Sequence, residues 1–246
     1  CGCGWCIMGC RTGAMYNTAI AEIPPALATG RLDLRCESMA RRIITSADGT
    51  VAEAVEYVDK DGESHLQPAR VIIAACHTIE IPRLLLASAS AKHPNGLANS
   101  SDQVGRNMMS HPSAHAVGIF QEVMNPWEGH SLNHMCCLDF AQTQPGQPYI
   151  RGFALETSAG MPVGTATGSL STLWGARLKH AMRHYRNMAG FFTICEGLPT
   201  PTNRITIDGN DTDRLGLPRA HIHYDWHVND VRLIDAAQDK SVEVLR

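Results

Sequence analysis

Cys1, Cys3, Cys6 and Cys10 fall within the first ten residues, directly ahead of Arg11-Thr12-Gly13-Ala14-Met15-Tyr16. Thiolates two and three residues apart on a turn can converge on one centre, so Cys3-x2-Cys6-x3-Cys10 has the form of a metal or iron–sulfur ligand loop. Gly2, Gly4 and Gly9 suit such a loop, because glycine lets a backbone fold closely around a cluster and adopt positive φ. The same run also fits reduced cysteines lining a tight loop against a cofactor domain. A structural zinc would need a fourth ligand and a chelating geometry that this spacing does not supply.

The other five cysteines, Cys36, Cys76, Cys136, Cys137 and Cys195, are scattered, and nine in 246 residues are too few for a disulfide-dense scaffold. A composition of 44% hydrophobic and 18% charged residues is that of an ordinary globular protein with one large core or two modest ones. The longest apolar run, Val71 to Cys76, has strand length and cannot span a bilayer. A net charge of −3 without blocks of like charge gives no nucleic-acid surface, which leaves a small molecule as the default ligand. No Met precedes Cys1, no signal peptide is present, and a helix-like pattern runs to Arg246, so the chain reads as an internal piece of a longer protein.

Ile20 to Gly30 reads as a short helix closed by glycine. Leu32 to Cys36, Arg41 to Thr45 and Val51 to Val58 read as the strands of a meander, with turns at Asp48-Gly49 and Asp61-Gly62. Arg70 to Ala75 is a β-branched run ending in small residues, as expected of a buried parallel strand whose end approaches a ligand. A helix follows over Ile79 to Ser90, with Pro82 in its first turn. The Pro-, Asn-, Gly- and Ser-rich text from His93 to Asp102 is a loop leading to a domain boundary. Beyond it, Ala114 to Phe120, Tyr149 to Glu156, Arg204 to Ile207 and Arg219 to Tyr224 alternate as strands. The basic stretch Trp174 to Met188 carries Leu178, Met182 and Tyr185 at helical spacing. His221, His223 and His227 imitate a metal site but read as half-exposed strand histidines.

Four blocks then occur in order: Cys3-Gly4-Trp5-Cys6-x2-Gly9-Cys10-Arg11-x-Gly13-Ala14; Val71-Ile72-Ile73-Ala74-Ala75; Ile79-Glu80-x-Pro82-Arg83-Leu84-Leu85-Leu86-x-Ser88; and Leu97-Ala98-Asn99-Ser100-Ser101-x2-Val104-Gly105-Arg106-Asn107-x-Met109-x-His111-Pro112. Together with Pro201-x-Asn203-Arg204-Ile205-Thr206-Ile207-Asp208 and Gly216-Leu217-Pro218, they resemble the glucose–methanol–choline oxidoreductases, flavoproteins that oxidise alcohols and sugars. Within that family the pattern looks most like the large subunits of bacterial gluconate, sorbitol and glucose dehydrogenases. The resemblance implies an α/β, two-domain flavoprotein: part of a Rossmann-like FAD domain with the Cys-rich loop over 1–112, and part of a substrate domain with an antiparallel sheet over 113–246. It implies FAD held near Ala40, Ala74, Ala75 and Cys76, and by Asn99, Ser100, Arg106, Asn107, Met109 and His111 along the flavin. It implies a three-iron cluster on Cys3, Cys6 and Cys10, with Cys1 either a ligand or a neighbour.

Three departures qualify what the resemblance carries. The G-x-G-x-x-G that seats the pyrophosphate would lie upstream of Cys1, and the catalytic base would lie beyond Arg246, so this piece alone is expected to be inactive. Cys76-His77 stands where the family has a small residue and a variable one, and Ile81 replaces a common threonine. The expected chemistry is removal of a hydroxyl proton and hydride transfer to flavin from a sugar, polyol or aldonate, with electrons leaving through the cluster to a cytochrome or quinone. A cytochrome c subunit and a small subunit are the expected partners, and the periplasmic face of the inner membrane is the location if the chain falls in the dehydrogenase subgroup. The alternatives are an oxidase of the same family that uses oxygen directly, and an iron–sulfur electron-transfer module without flavin.

Overall fold

Pro24-Pro25 fixes φ for helix entry and Gly30 takes φ 67° at its close, which confines the first helical region to two short exposed pieces, α1 (Thr18–Ala21) and α2 (Ile23–Ala28). The computed structural model describes residues 10, 12–125, 127, 132–158 and 161–246. In chain order there follow β1 (Met39–Thr45), β2 (Ala52–Val58), β3 (Ser64–Pro68), α3 (Glu80–Ala87), β4 (His115–Ile119), β5 (Leu132–Cys137), β6 (Phe153–Ser158), α4 (Pro162–Gly164), α5 (Gly175–Met182), β7 (Met188–Cys195), β8 (Arg204–Thr212), β9 (Pro218–His223) and α6 (Val228–Val244). A π-helical turn over Thr165–Ser169 links α4 towards α5. Among the described residues every strand pairing is antiparallel, and no helix is long and apolar enough to cross a membrane.

The chain divides into two compact units, each assembled from separated stretches. One comprises Ser110–Leu198, Trp226–Arg246 and the described part of Cys1–Arg31; the other comprises Leu32–Met109 and Pro199–Asp225. The chain changes unit between Arg31 and Leu32, between Met109 and Ser110, and at each end of Pro199–Asp225, which packs with Leu32–Met109.

In the second unit β1, β2 and β3 form a meander in that order, with Ile43 opposite Val55 and Tyr57 opposite His65. The β1–β2 turn closes as expected at Asp48-Gly49: Asp48 accepts from the Ser46 and Thr50 hydroxyls, and Gly49 takes φ 80°. Two expectations fail here. Leu32 to Cys36 is unpaired, and the third strand is the polar, fully exposed Ser64–Pro68, an edge whose outward face needs no apolar pattern. Arg70 to Ala75 forms no strand among the described residues. Val71 and Ile73 are 76% and 84% exposed there, because a β-branched run becomes a buried strand only when neighbouring strands take its N–H and C=O groups.

The first unit is a four-stranded sheet ordered β4-β7-β6-β5 with α6 laid across β4, β6 and β7. Its core is Phe153, Leu155, Cys195, Leu233 and Ala237. Helix α6 presents Asp230, Leu233, Ala237 and Ser241 inward, a stripe of near-fourfold spacing. Its start is fixed by a capping box between His227 and Asp230, while Asp230 Oδ1 also accepts from Leu198 N at 3.1 Å and Asn229 Oδ1 accepts from Ile150 N at 2.8 Å. Within the sheet, Thr193 is fully buried and its hydroxyl accepts from Ala114 N at 2.7 Å.

Candidate functional site

The second unit holds a cavity of about 190 Å³ between the start of β1, the face of α3 that carries Arg83 and Leu84, and the turn that precedes β9. Ser38, Met39, Ala40 and Arg41 form one wall; Cys76, Glu80, Arg83, Leu84 and Ala87 form another; Leu217 and Pro218 close it. Ala40 and Cys76, both named by the family resemblance, line this one space, whereas Ala74 and Ala75 do not. The small side chains Ala40 and Ala87 leave room between strand and helix that larger residues would fill.

Ser88 sets that separation. Its hydroxyl donates to Leu84 O at 2.6 Å, accepts from Ile43 N at 2.8 Å, and is 4% exposed, so the C-terminal end of α3 is bound directly to β1. Arg83 sets the other wall. It donates from Nε to Pro218 O at 2.6 Å, from Nη1 to Glu80 at 2.9 Å and from Nη2 to Asp213 at 2.8 Å. Burial works against its charge, but the bonds to Asp213 and Glu80 outweigh it and hold the guanidinium above its ordinary pKa. Burial likewise opposes ionisation of Asp213, yet the N–H groups of Leu217 and Leu215 and the Arg83 guanidinium hold its carboxyl below the usual range. Arg83 thus joins α3 to the β8–β9 turn through three hydrogen bonds within the protein.

The loop before the change of unit is shaped by its own side chains. Asn99, 4% exposed, donates to Asn95 O at 2.8 Å and accepts from Val104 N at 2.9 Å, so its carboxamide holds the loop. Arg106 binds the Asp102 carboxylate and Pro201 O, and the bond to Arg106 is the leading cause that keeps Asp102 below the usual carboxylate pKa. Ala98, Asp102 and Asn107 all take positive φ, at 56°, 54° and 57°. Gly105, at φ 83°, lies where a Cβ would come within 2.3 Å of Ile205 O; only glycine permits the paired contacts of Gly105 with Ile205 and of Met108 with Asn203. Ser100 is exposed, as is Met109. Asn203, 2% exposed, exchanges two hydrogen bonds with the Asp225 backbone.

His111 belongs to the other unit, where its Nδ1 lies 3.3 Å from Cys195 O beside a small cavity lined also by Gly152, Phe153 and Glu196. Ala74 is half-buried and Ala75 exposed, at the end of the unpaired 70–75 segment, and neither lines the cavity of Ala40 and Cys76. Cys1, Cys3 and Cys6 lie outside the described residues. Cys10 is described and half-exposed; the Thr12 hydroxyl, before the backbone at Met15, lowers its pKa to about 7. No group of three or more metal-holding side chains occurs among the described residues. His221 Nε2 lies 3.1 Å from Asp211 Oδ2 without a hydrogen bond, His223 Nε2 lies 3.0 Å from the Thr206 hydroxyl, and His227 caps α6 rather than extending the strand.

Sequence reasoning passed over Glu80, Arg83 and Asp213 as site residues. The Glu80-x2-Arg83 spacing of an i,i+3 pair and the Asp213-x2-Gly216 turn were the signals available.

Residues 1–113 match the model of the GMC oxidoreductase family. The likeness to the GMC oxidoreductases is thus carried by the first 113 residues, a little under half of the chain. It is 28% identical over 98% of its length to 2-methyl-1,2-propanediol dehydrogenase of Mycolicibacterium austroafricanum, and covers 44% of that protein. It is 31% identical over 92% of its length to the fructose dehydrogenase large subunit of Gluconobacter japonicus, covering 41%, and 21% identical over 94% to the gluconate 2-dehydrogenase flavoprotein of Pantoea cypripedii, covering 39%. The chain thus spans about two fifths of the length of the curated relatives it matches. Both Ala40 and Cys76, and the whole Asn99 to Met109 loop, fall inside the matched region.

Proposed function

We propose that this chain forms part of an FAD-dependent oxidoreductase acting on the CH–OH groups of sugars, polyols or aldonates. The observation that carries the reading is that the family match over residues 1–113 supplies two walls of a cavity lined jointly by Ala40 and Cys76. Its volume of about 190 Å³ is below the roughly 300 Å³ of a pocket that takes a whole drug-sized ligand, and suits one flat ring of a dinucleotide. Small walls, an adjacent strand backbone and an arginine already neutralised by two carboxylates fit an uncharged ring rather than a phosphate. We assign the adenine end of FAD to this cavity.

In this reading Ala40 and Ala87 leave the space, Cys76 borders it, and Arg83 and Ser88 fix the helix and turn that define it. The self-supported Asn99 to Met109 loop and His111 are the segment that runs along the flavin. FAD, when bound, supplies the hydride acceptor for alcohol oxidation. Cys3, Cys6 and Cys10, with Cys1 as a further ligand or a neighbour, hold an iron–sulfur centre that passes electrons to a cytochrome or quinone carried by partner subunits. The similarity to a dehydrogenase large subunit supports this acceptor over oxygen. The periplasmic face of the inner membrane is the corresponding location.

The test is turnover of sugars, polyols and aldonates with an artificial electron acceptor, measured beside oxygen consumption. Substrate-dependent dye reduction without matching peroxide supports the dehydrogenase reading. Peroxide formation at the rate of substrate loss would replace it with the oxidase.

A further inference from the structure

Between Glu156 and Glu196 the sequence contains no Asp or Glu, yet this stretch holds Arg177, Lys179, Arg183 and Arg186 in a chain of net charge −3. All four are exposed, and no carboxylate among the described residues lies within 4.0 Å of their charged groups. Leu178, Met182 and Tyr185 turn inward and hold the segment to its unit, so the basic side chains form its outer face. Trp174 stands at the N-terminal end of α5 and is 85% exposed. Trp174 and Arg177 line a cavity of about 450 Å³ together with Thr172 and Leu173.

Each feature has a separate physical cost in water that one surface would remove. An indole left 85% exposed hydrates a large apolar area, and four cations with no carboxylate partner among the described residues repel one another. We propose that the α5 face of this protein docks on an anionic phospholipid surface, with Trp174 entering the headgroup layer and Arg177, Lys179 and Arg183 facing the lipid phosphates. Tryptophan is favoured at that depth because its ring is apolar and its N–H polar. An acidic protein partner fits less well, since a stable protein interface requires a broad apolar core and this face offers one aromatic ring beside charges.

The experiment is co-sedimentation of the protein with vesicles of equal parts phosphatidylglycerol and phosphatidylcholine, and with phosphatidylcholine alone, at low and high salt. Binding is expected to the anionic vesicles only, and to weaken as salt rises. Each basic residue near such a surface is worth about fivefold in partitioning, so R177Q/K179Q/R183Q should bind about 100-fold more weakly. Trp174→Phe should abolish the blue shift of tryptophan emission that vesicles induce while retaining salt-sensitive binding. These are exposed positions, and an unchanged circular dichroism spectrum establishes that each variant is folded. Equal binding to neutral vesicles, or unaltered binding by the triple variant, would overturn the proposal. So would charge-dependent retention on an immobilised acidic polypeptide without any binding to vesicles, which would assign the face to a protein instead.

Discussion

Arg83→Met removes three donated hydrogen bonds at once and retains an unbranched aliphatic side chain. The guanidinium is nearly buried, at 11% side-chain exposure, while Asp213 is 27% and Glu80 40% exposed. A hydrogen bond to a charged group contributes about 1.5–3 kcal/mol when buried, and an exposed ion pair about 0–1 kcal/mol. The Asp213 bond and the Pro218 carbonyl bond lie nearer the first figure, and the Glu80 bond nearer the second. The expected loss is therefore about 3 kcal/mol, or a fall of roughly 6–12 °C in Tm for a chain of this size. Because the chain has two units, the transition should be followed by hydrogen exchange at α3 and β9 as well as by calorimetry. Asp213 has a depressed folded pKa, so its contribution is complete above the unfolded carboxylate pKa of about 3.9 and is lost as pH falls through the folded value. Wild type should accordingly lose stability in acid more steeply than Arg83→Met. A double-mutant cycle of Arg83→Met with Asp213→Asn should give a coupling above about 1 kcal/mol. A coupling near zero, or an unchanged acid slope, would refute the role assigned to this arginine.

Ser88→Ala strands the buried Ile43 N–H and should cost about 1–3 kcal/mol by denaturant unfolding, with exchange of the Ile43 amide accelerated. Gly105→Ala places a Cβ against Ile205 O in a left-handed backbone position, and should destabilise the second unit by more than about 2 kcal/mol in the same assay. Cys195 is fully buried and its pKa is pushed up to about 11 by that burial, so at neutral pH iodoacetamide should modify exposed Cys36 and Cys76 while Cys195 reacts only after unfolding, as read by peptide mass spectrometry.

The hairpin of β1 and β2, the helix α3 and the β8–β9 pair were legible because each carries its own punctuation: Asp48-Gly49, Pro82, and the Gly216-Leu217-Pro218 entry to β9. Elements whose signal depends on distant partners were not. Strand β7 lies at the centre of its sheet and reads Met-Ala-Gly-Phe-Phe-Thr-Ile-Cys, with both faces partly covered, so no polar alternation marks it. Ser64–Pro68 forms a strand because β2 offers an open edge, not because of its composition. The site divides in the same way. Ala40 and Cys76 were found from motif order, but Asp213 became visible only when its turn closed onto Arg83.

The flavin content of the purified parent protein, carrying the G-x-G-x-x-G segment expected upstream of Cys1, and of its Ala40→Trp variant, bears most directly on the assignment of the cavity to FAD. The side chain introduced at position 40 would occupy the space between β1 and α3, and Arg42→Gln, on the same strand but outside the cavity, serves as the control. Flavin released on denaturation should be near one per protein in wild type and in Arg42→Gln, and should fall at least tenfold in folded Ala40→Trp, a loss equivalent to about 1.4 kcal/mol of binding. A wild-type protein without flavin absorbance, or full flavin retention in Ala40→Trp, would contradict it.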